Sequence, residues 1–178
     1  NAVVEQLTVR PDGSVWVAVD DGLWVWQGER FRAVIKATHQ AVYALAFVSP
    51  GEFWVGRHGA LERYGWDGQQ ARLLERIGQE HGLPSIEIRG LALGGADTVW
   101  VTTSRGLFAY KRGQPQVRRF SQRDGLPDSE FSMRSPAIGP SGQVLALTSS
   151  GIVLFDPSQP FAPAPPARLV IESVQVRR

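Results

Sequence analysis

Gly13-Ser-Val-Trp-Val-Ala-Val-Asp-Asp-Gly-Leu-Trp-Val-Trp26 is the stretch on which the fold turns. Val15 to Val19 is apolar and β-branched at successive positions, so both faces of the strand it forms must be covered. Asp20-Asp21-Gly22 supplies a tight turn, and Leu23 to Trp26 runs back as a second strand. Gln27-Gly28-Glu29 turns again and Phe31 to Ile35 gives a third strand, while Val4 to Val9 precedes the motif as one more. The unit is therefore about four antiparallel strands.

The same stretch returns three times. Trp54 sits in Gly51-Glu-Phe-Trp-Val, Trp100 in Asp97-Thr-Val-Trp-Val, and Leu145 takes the tryptophan's place in Gly142-Gln-Val-Leu-Ala. These anchors are 38, 46 and 45 residues apart. Six residues after each stands Gly22, Ala60, Gly106 or Gly151, and ten after each stands Trp26, Tyr64, Tyr110 or Phe155. Four-stranded units at this period are the signature of β-propeller blades, each too small to bury its own faces and completed by its neighbours. The expectation is an all-β chain of about four blades over residues 3–156 (3–40, 41–86, 87–132 and 133–156), a partial propeller. Trp16, Trp54, Trp100 and the aromatics ten residues on are read as packing between blades, ahead of the alternative of a stacking platform for a sugar or base. No long helix is expected; Arg72 to Gln79 reads as an outer strand and a connecting loop.

Composition agrees. Of 178 residues, 43% are apolar and 20% charged, which fits a packed core. Cysteine is absent, so disulfides, thiolate metal sites and cysteine nucleophiles fall away together. The net charge of +2 comes from scattered arginines, tightest at Arg118, Arg119 and Arg123, which argues against a nucleic-acid stripe. The longest apolar run, Ala41 to Val48, is far short of the roughly 20 residues of a membrane helix. No cleavable-signal pattern opens the chain, and Asn1-Ala2 fits the scar of a removed tag.

A second element recurs. His81-Gly-Leu-Pro84 and Asp124-Gly-Leu-Pro127 stand 43 residues apart and feed the third and fourth blades. Glycine followed by leucine and proline fits a fixed turn. Downstream, Pro157, Pro160, Pro163, Pro165 and Pro166 make residues 157–167 read as an extended linker, ahead of the alternative of a proline-rich ligand for a partner module, and 168–178 reads as the first strand of another domain.

Gly-x-x-Trp-Val-x-x-x-x-Gly-Leu-x-x-aromatic, alternating with Asp-Gly-Leu-Pro, resembles the two-component regulator propeller repeat. The run through Asp124-Gly-Leu-Pro-Asp-Ser-Glu-Phe131, Ser150-Gly-Ile-Val-Leu-Phe-Asp-Pro157 and Pro165-Pro-Ala-Arg-Leu-Val-Ile-Glu-Ser-Val174 is similar to the last blade of such propellers, before an immunoglobulin-like domain known for three tyrosines. The resemblance implies the periplasmic sensor part of a bacterial membrane receptor. A parent protein would carry the membrane helix and a histidine kinase or diguanylate cyclase, and the input would be an oligosaccharide or another small molecule. The second repeat departs from the pattern at Arg57-His58-Gly59-Ala60, the fourth lacks its tryptophan, and four blades are fewer than the usual ring. Four blades closing on themselves, two copies docking face to face and a fragment with open faces are the three outcomes, of which association through the uncovered blade faces is the expectation.

No chemistry is legible. His39, His58 and His81 match no local metal motif, and the aspartates fall in turns where they bond backbone. No cofactor, metal or catalytic residue is expected. A propeller lyase or hydrolase acting on a polysaccharide or lactone is the alternative. Ligand contacts are sought where blade connections break the repeat: Arg57, His58, Glu80, His81, Arg105 and Arg123. Each of these is otherwise a solvated loop side chain.

Overall fold

The computed structural model describes residues 3–36, 41–95, 97–124, 126 and 128–156. The linker, the strand expected over 168–178 and His39 lie outside the described residues, as do the side chains of Arg123 and Phe155.

Four antiparallel meanders follow one another. The first joins β1 (Val4–Val9), β2 (Val15–Val19), β3 (Gly22–Trp26) and β4 (Phe31–Lys36) in chain order. The second joins β5 (Ala44–Ser49), β6 (Glu52–Arg57), β7 (Ala60–Trp66) and β8 (Ala71–Ile77). The third joins β9 (Ile88–Gly94), β10 (Thr98–Thr103), β11 (Gly106–Lys111) and β12 (Arg118–Phe120). The fourth contributes three strands among the described residues, β13 (Ala137–Ile138), β14 (Val144–Leu147) and β15 (Ile152–Phe155). These are propeller blades, and their inner strands β1, β5, β9 and β13 lie side by side. The segment expected as outer strand and loop is β8 followed by a 3-10 turn over Gln79–His81.

Alternation along β2 explains the stacking. Trp16 and Ala18 point to one face, and Val15, Val17 and Val19 to the other. Trp16 pairs with Val25 of β3 and Ala18 with Leu23, so each blade has a leading face, turned to the next blade, and a trailing face, turned back. The anchors stand on leading faces. Trp16 is 1% exposed and packs against Phe47, Phe53 and Trp66 of the second blade at centroid distances of 5.0, 5.5 and 5.3 Å. Trp54 meets Tyr110 of the third blade edge-on at 5.7 Å. Trp100 is buried with Phe131, Val144, Ala146 and Val153 of the fourth blade and its approach. Trp26, Tyr64 and Tyr110, ten after the first three anchors, stand on trailing faces.

This geometry corrects one expectation. Tyr64 and Tyr110 lie between blades, but Trp26 is 38% exposed, and its one ring contact among the described residues is edge-on with Phe31 of its own blade. It occupies the trailing face of the first blade, which no described blade covers. Three interblade cores exist among the described residues, between blades one and two, two and three, and three and four. The blades form an open arc.

Polar side chains tie the inner strands. The Gln6 amide donates to the Leu45 carbonyl at 3.0 Å and accepts from the Leu45 N–H at 2.8 Å, bridging β1 to β5 like a strand pair. Gly90 on β9 allows the fourth blade to approach: a Cβ there would lie 2.5 Å from Ser135 Cα and 2.7 Å from the Arg134 carbonyl oxygen.

Replacement of Trp54 by alanine empties an interblade core and should cost about 3–5 kcal/mol in urea unfolding. Trp26→Ala, on the uncovered face, should cost less than half as much.

Candidate functional site

One end of the arc carries the links that run from each outer strand to the next inner strand, together with the β2–β3, β6–β7, β10–β11 and β14–β15 turns. Backbone hydrogen bonds hold links and turns together. The Val42 N–H donates to the Val19 carbonyl at 3.0 Å, the Gly59 N–H to Ile86 at 2.7 Å, and the Phe131 N–H to Thr103 at 3.1 Å. Gly59 holds φ at +66°, and a Cβ there would press on Ser85 at 3.2 Å, so glycine is needed where the second repeat departs from the others.

At this end, next to the inner strands, four polar groups gather from three blades. Glu5 opens β1, Asp20 is in the first turn, Tyr43 precedes β5, and Glu87 precedes β9. The Tyr43 N–H is anchored on the Gly56 carbonyl at 2.9 Å. The Tyr43 phenol lies beside the Glu87 carboxylate; burial first, then the negative charges of Glu87 and Glu5, hold its pKa above the usual value. Glu5 is also raised, mainly by desolvation and then by Glu87 and Asp20. The mouth thus concentrates negative potential around one tyrosine. Hydrogen-bond donors on a ligand would find acceptors in the carboxylates and an aromatic ring beside them. Among the described residues no group of three or more His, Asp or Glu has metal-binding geometry.

The residues singled out from sequence are spread over several places. His58 is exposed in the β6–β7 turn and pairs through its backbone with Glu87, so it borders the mouth. Arg57 is only 5% exposed and faces the first blade, and its Nε donates to Glu62 of its own blade at 2.7 Å. The same carboxylate accepts from the Tyr64 hydroxyl at 2.8 Å and pairs with Arg76 at 3.3 Å. Glu80 and His81 sit together on the 3-10 turn, 3.1 Å apart, where the Gly78 N–H donates to His81 Nδ1. That turn packs on the third blade through Gln116, whose amide donates to the Glu80 carbonyl, and Val117, whose N–H donates to the His81 carbonyl. Glu80 and His81 therefore line a cleft at the outer rim of the second joint, with Glu75, Arg76 and Tyr110. Arg105 is exposed in its turn, and its carbonyl accepts from Arg119. Arg123 belongs to a second 3-10 turn, Gln122–Asp124.

Sequence reading passed over Glu5 and Tyr43. A signal was present: eleven residues before each anchor stands Glu5, Tyr43, Arg89 or Arg134, a polar or aromatic residue in every copy. Arg89 donates to the Phe131 carbonyl and lies 3.8 Å from Glu130, which turns its charge toward the third joint.

Two more groups have well-defined electrostatics. Tyr110 hydrogen bonds Glu75, which also accepts from Arg63 at 3.0 Å. Burial foremost, and this carboxylate next, push the Tyr110 pKa up to about 12. Asp128, in the link to the fourth blade, is held down to about 2, first by the Glu130 N–H and then by the hydroxyls of Ser150 and Ser149. Its carboxylate thereby fastens the link to the last turn.

The chain was compared with known proteins. No protein-family model and no curated protein sequence matches it. Solved structures do. The extracellular domain of the hybrid two-component system BT4673 from B. thetaiotaomicron superimposes with a TM-score of 0.72 at 21% identity, over 98% of this chain and 23% of that one. The corresponding domain of BT3049 from the same organism gives 0.62 at 19% identity, over 87% and 23%. The WD40 β-propeller domain of Doa1 gives 0.70 at 16% identity, over 86% of this chain and 50% of that one. The shared property is the propeller fold, and the chain spans less than a quarter of the two extracellular domains.

Two titrations check the electrostatics. The Asp128 carboxyl should titrate near 2 by NMR, and the Ser149→Ala, Ser150→Ala double variant should move it toward the ordinary value of 3.8. A folded-state pKa below the unfolded one contributes stability above the unfolded pKa, lost as pH falls through the folded one, so this link loosens between about pH 4 and 2. Tyr110 carries the opposite sign. Its contribution is full below the unfolded tyrosine pKa of 10.0 and lost as pH rises through about 12, so Tyr110→Phe should remove the last phenolate transition in an ultraviolet titration.

Proposed function

We propose that this chain is a ligand-recognition part of an extracytoplasmic sensor, and that it takes a hydroxyl-rich ligand, an oligosaccharide, at the mouth formed by Glu5, Asp20, Tyr43 and Glu87. The mouth carries the proposal. Two carboxylates, Glu87 and Glu5, act on one phenol and Asp20 acts on Glu5, and burial and this repulsion raise the pKa of Glu5 and of Tyr43. A ligand that donates hydrogen bonds relieves that repulsion, and a sugar ring offers several donors together with an apolar face for the tyrosine. His58 borders the same mouth and is a further contact. Because the site draws on three blades, occupancy would fix their relative angle, which is the kind of change a receptor can transmit.

The sensor role is supported by the repeat's resemblance to two-component regulator propellers and by the structural likeness to extracellular domains of two-component systems. On this reading the parent protein is an inner-membrane receptor with its propeller in the periplasm, and a histidine kinase or diguanylate cyclase inside carries the output. The chain itself is non-catalytic.

The test is a screen of neutral oligosaccharides by calorimetry, with product analysis of every hit. Tyr43→Phe and Glu87→Gln should each weaken binding about tenfold, the loss of one charge-assisted hydrogen bond, with unfolding midpoints unchanged. Binding that both variants leave intact would move the site elsewhere, and cleavage of a bound sugar would replace the sensor by an enzyme.

A further inference from the structure

Where β12 passes into the link to the fourth blade, a cleft of about 490 Å³ opens between strand and link. Among the described residues its walls are Arg119 of β12, Ser121 and Gln122 at the start of the link, and Ser129 farther along it. The cleft lies within the arc, between elements that the chain itself supplies, and on neither end face.

Its charge is one-sided. The Arg119 guanidinium donates to the Arg105 carbonyl at 3.0 Å, which sets it against the β10–β11 turn, where the exposed Arg105 brings a second guanidinium. Neither arginine has an ion-pair partner among the described residues, whereas Arg10, Arg57, Arg63, Arg76, Arg89 and Arg112 all have one. The acids of the link are engaged elsewhere. Asp124 accepts from the Ser121 N–H at 2.8 Å and from its hydroxyl at 3.1 Å. Asp128 accepts from the N–H groups of Ser129 and Glu130 with one oxygen and from the hydroxyls of Ser149 and Ser150 with the other. Glu130 lies 3.8 Å from Arg89. Two neighbouring guanidiniums without a carboxylate repel one another, and an anion between them removes that cost. The Ser129 hydroxyl and the Gln122 side-chain amide line the same space and make no hydrogen bond of their own among the described residues.

We propose that this cleft binds a tetrahedral oxyanion, a sulfate or phosphate group carried on a larger ligand, with Arg119 as its main contact and Arg105 beside it. Guanidinium is the side chain best matched to such a group, through charge-assisted hydrogen bonds. The hydroxyl of Ser129 and the amide of Gln122 come from a different element than Arg119. Donors that converge from several directions suit an anion with oxygens on all sides better than a planar carboxylate. The cleft holds far more than an inorganic ion, so the anion arrives as part of a bigger molecule. The site is separate from the mouth and does not rest on the reading given to it.

An NMR titration of the 178-residue chain with sodium sulfate tests this, at ionic strength held constant with sodium chloride so that general screening is unchanged. Inorganic phosphate and acetate are titrated in the same way. Sulfate or phosphate should give saturable shifts at the Arg119 Nε–H and at the amides of Gln122 and Ser129. Arg119→Gln should weaken binding at least tenfold, the loss of a charge-assisted hydrogen bond. Arg105→Gln should weaken it severalfold through lost charge. Arg30→Gln, at an exposed arginine of the first blade, should leave it unchanged. All three positions are exposed, so folding should survive, and far-ultraviolet dichroism checks it. Tighter binding of sulfate points to a sulfated ligand and tighter binding of phosphate to a phosphorylated one, and either supports the site. Shifts that grow without saturation, a native response from Arg119→Gln, or acetate bound as tightly as sulfate would each overturn it.

Discussion

Trp16, Trp54 and Trp100 meet the constraint on which the molecule depends: a strand pleats with period two, so a four-stranded sheet covered on both sides needs two different partners. The central strands of each blade are apolar at successive positions, and neither side tolerates water. Stacking the blades in one direction solves this, with the tryptophan of one blade set into the aromatic and aliphatic wall of the next. The order of blades around the axis, the closeness of the inner strands and the placement of the links all follow from that contact. It also leaves an unpaired face at each end of any finite row.

The joints are not wholly apolar. Arg57, Glu62 and Tyr64 form a buried polar group between the first two blades, and Arg63, Glu75 and Tyr110 join the second to the third. Buried ion pairs add little net stability, since desolvation offsets most of their attraction. Their geometric demand is stronger. Glu75, which accepts from a guanidinium of its own blade and from the Tyr110 phenol of the next, fixes the sliding position of the third blade on the second, which aromatic packing alone leaves looser. Arg57 shows how such a residue imitates a binding residue in sequence: it sits where the repeat breaks, yet its buried guanidinium is held by Glu62 of its own blade.

The mouth at the link end runs against stability. Glu5 and Tyr43 both have pKa values raised by burial and by neighbouring carboxylates, so the folded state disfavours their charged forms. For Glu5 the sign is plain. A raised carboxyl pKa favours the fold at low pH, and that contribution fades as pH rises through the folded value. Near neutral pH the charged mouth is a local cost that the interblade cores offset. Groups of that kind concentrate where a protein meets a ligand.

The repeat, the strand order within each blade and the roles of Trp16, Trp54 and Trp100 were legible in the sequence, because period-two alternation and tight glycine turns are local properties. The length of the chain between anchors set the four-strand unit for the same reason. Which side of a blade each aromatic serves was not legible. Trp26 and Tyr110 hold the same place in the repeat, yet one is half exposed and the other buried, since only the presence of a preceding blade separates them. The mouth was also hidden. Glu5, Tyr43 and Glu87 lie in three different repeats, and it is the stacking of inner strands around an axis that brings them together. Glu80 and His81, adjacent in sequence to the link that carries Glu87, are drawn to the rim instead by hydrogen bonds to the outer strand of the third blade. Local pattern determines the blade; the contacts between blades decide which of its residues meet.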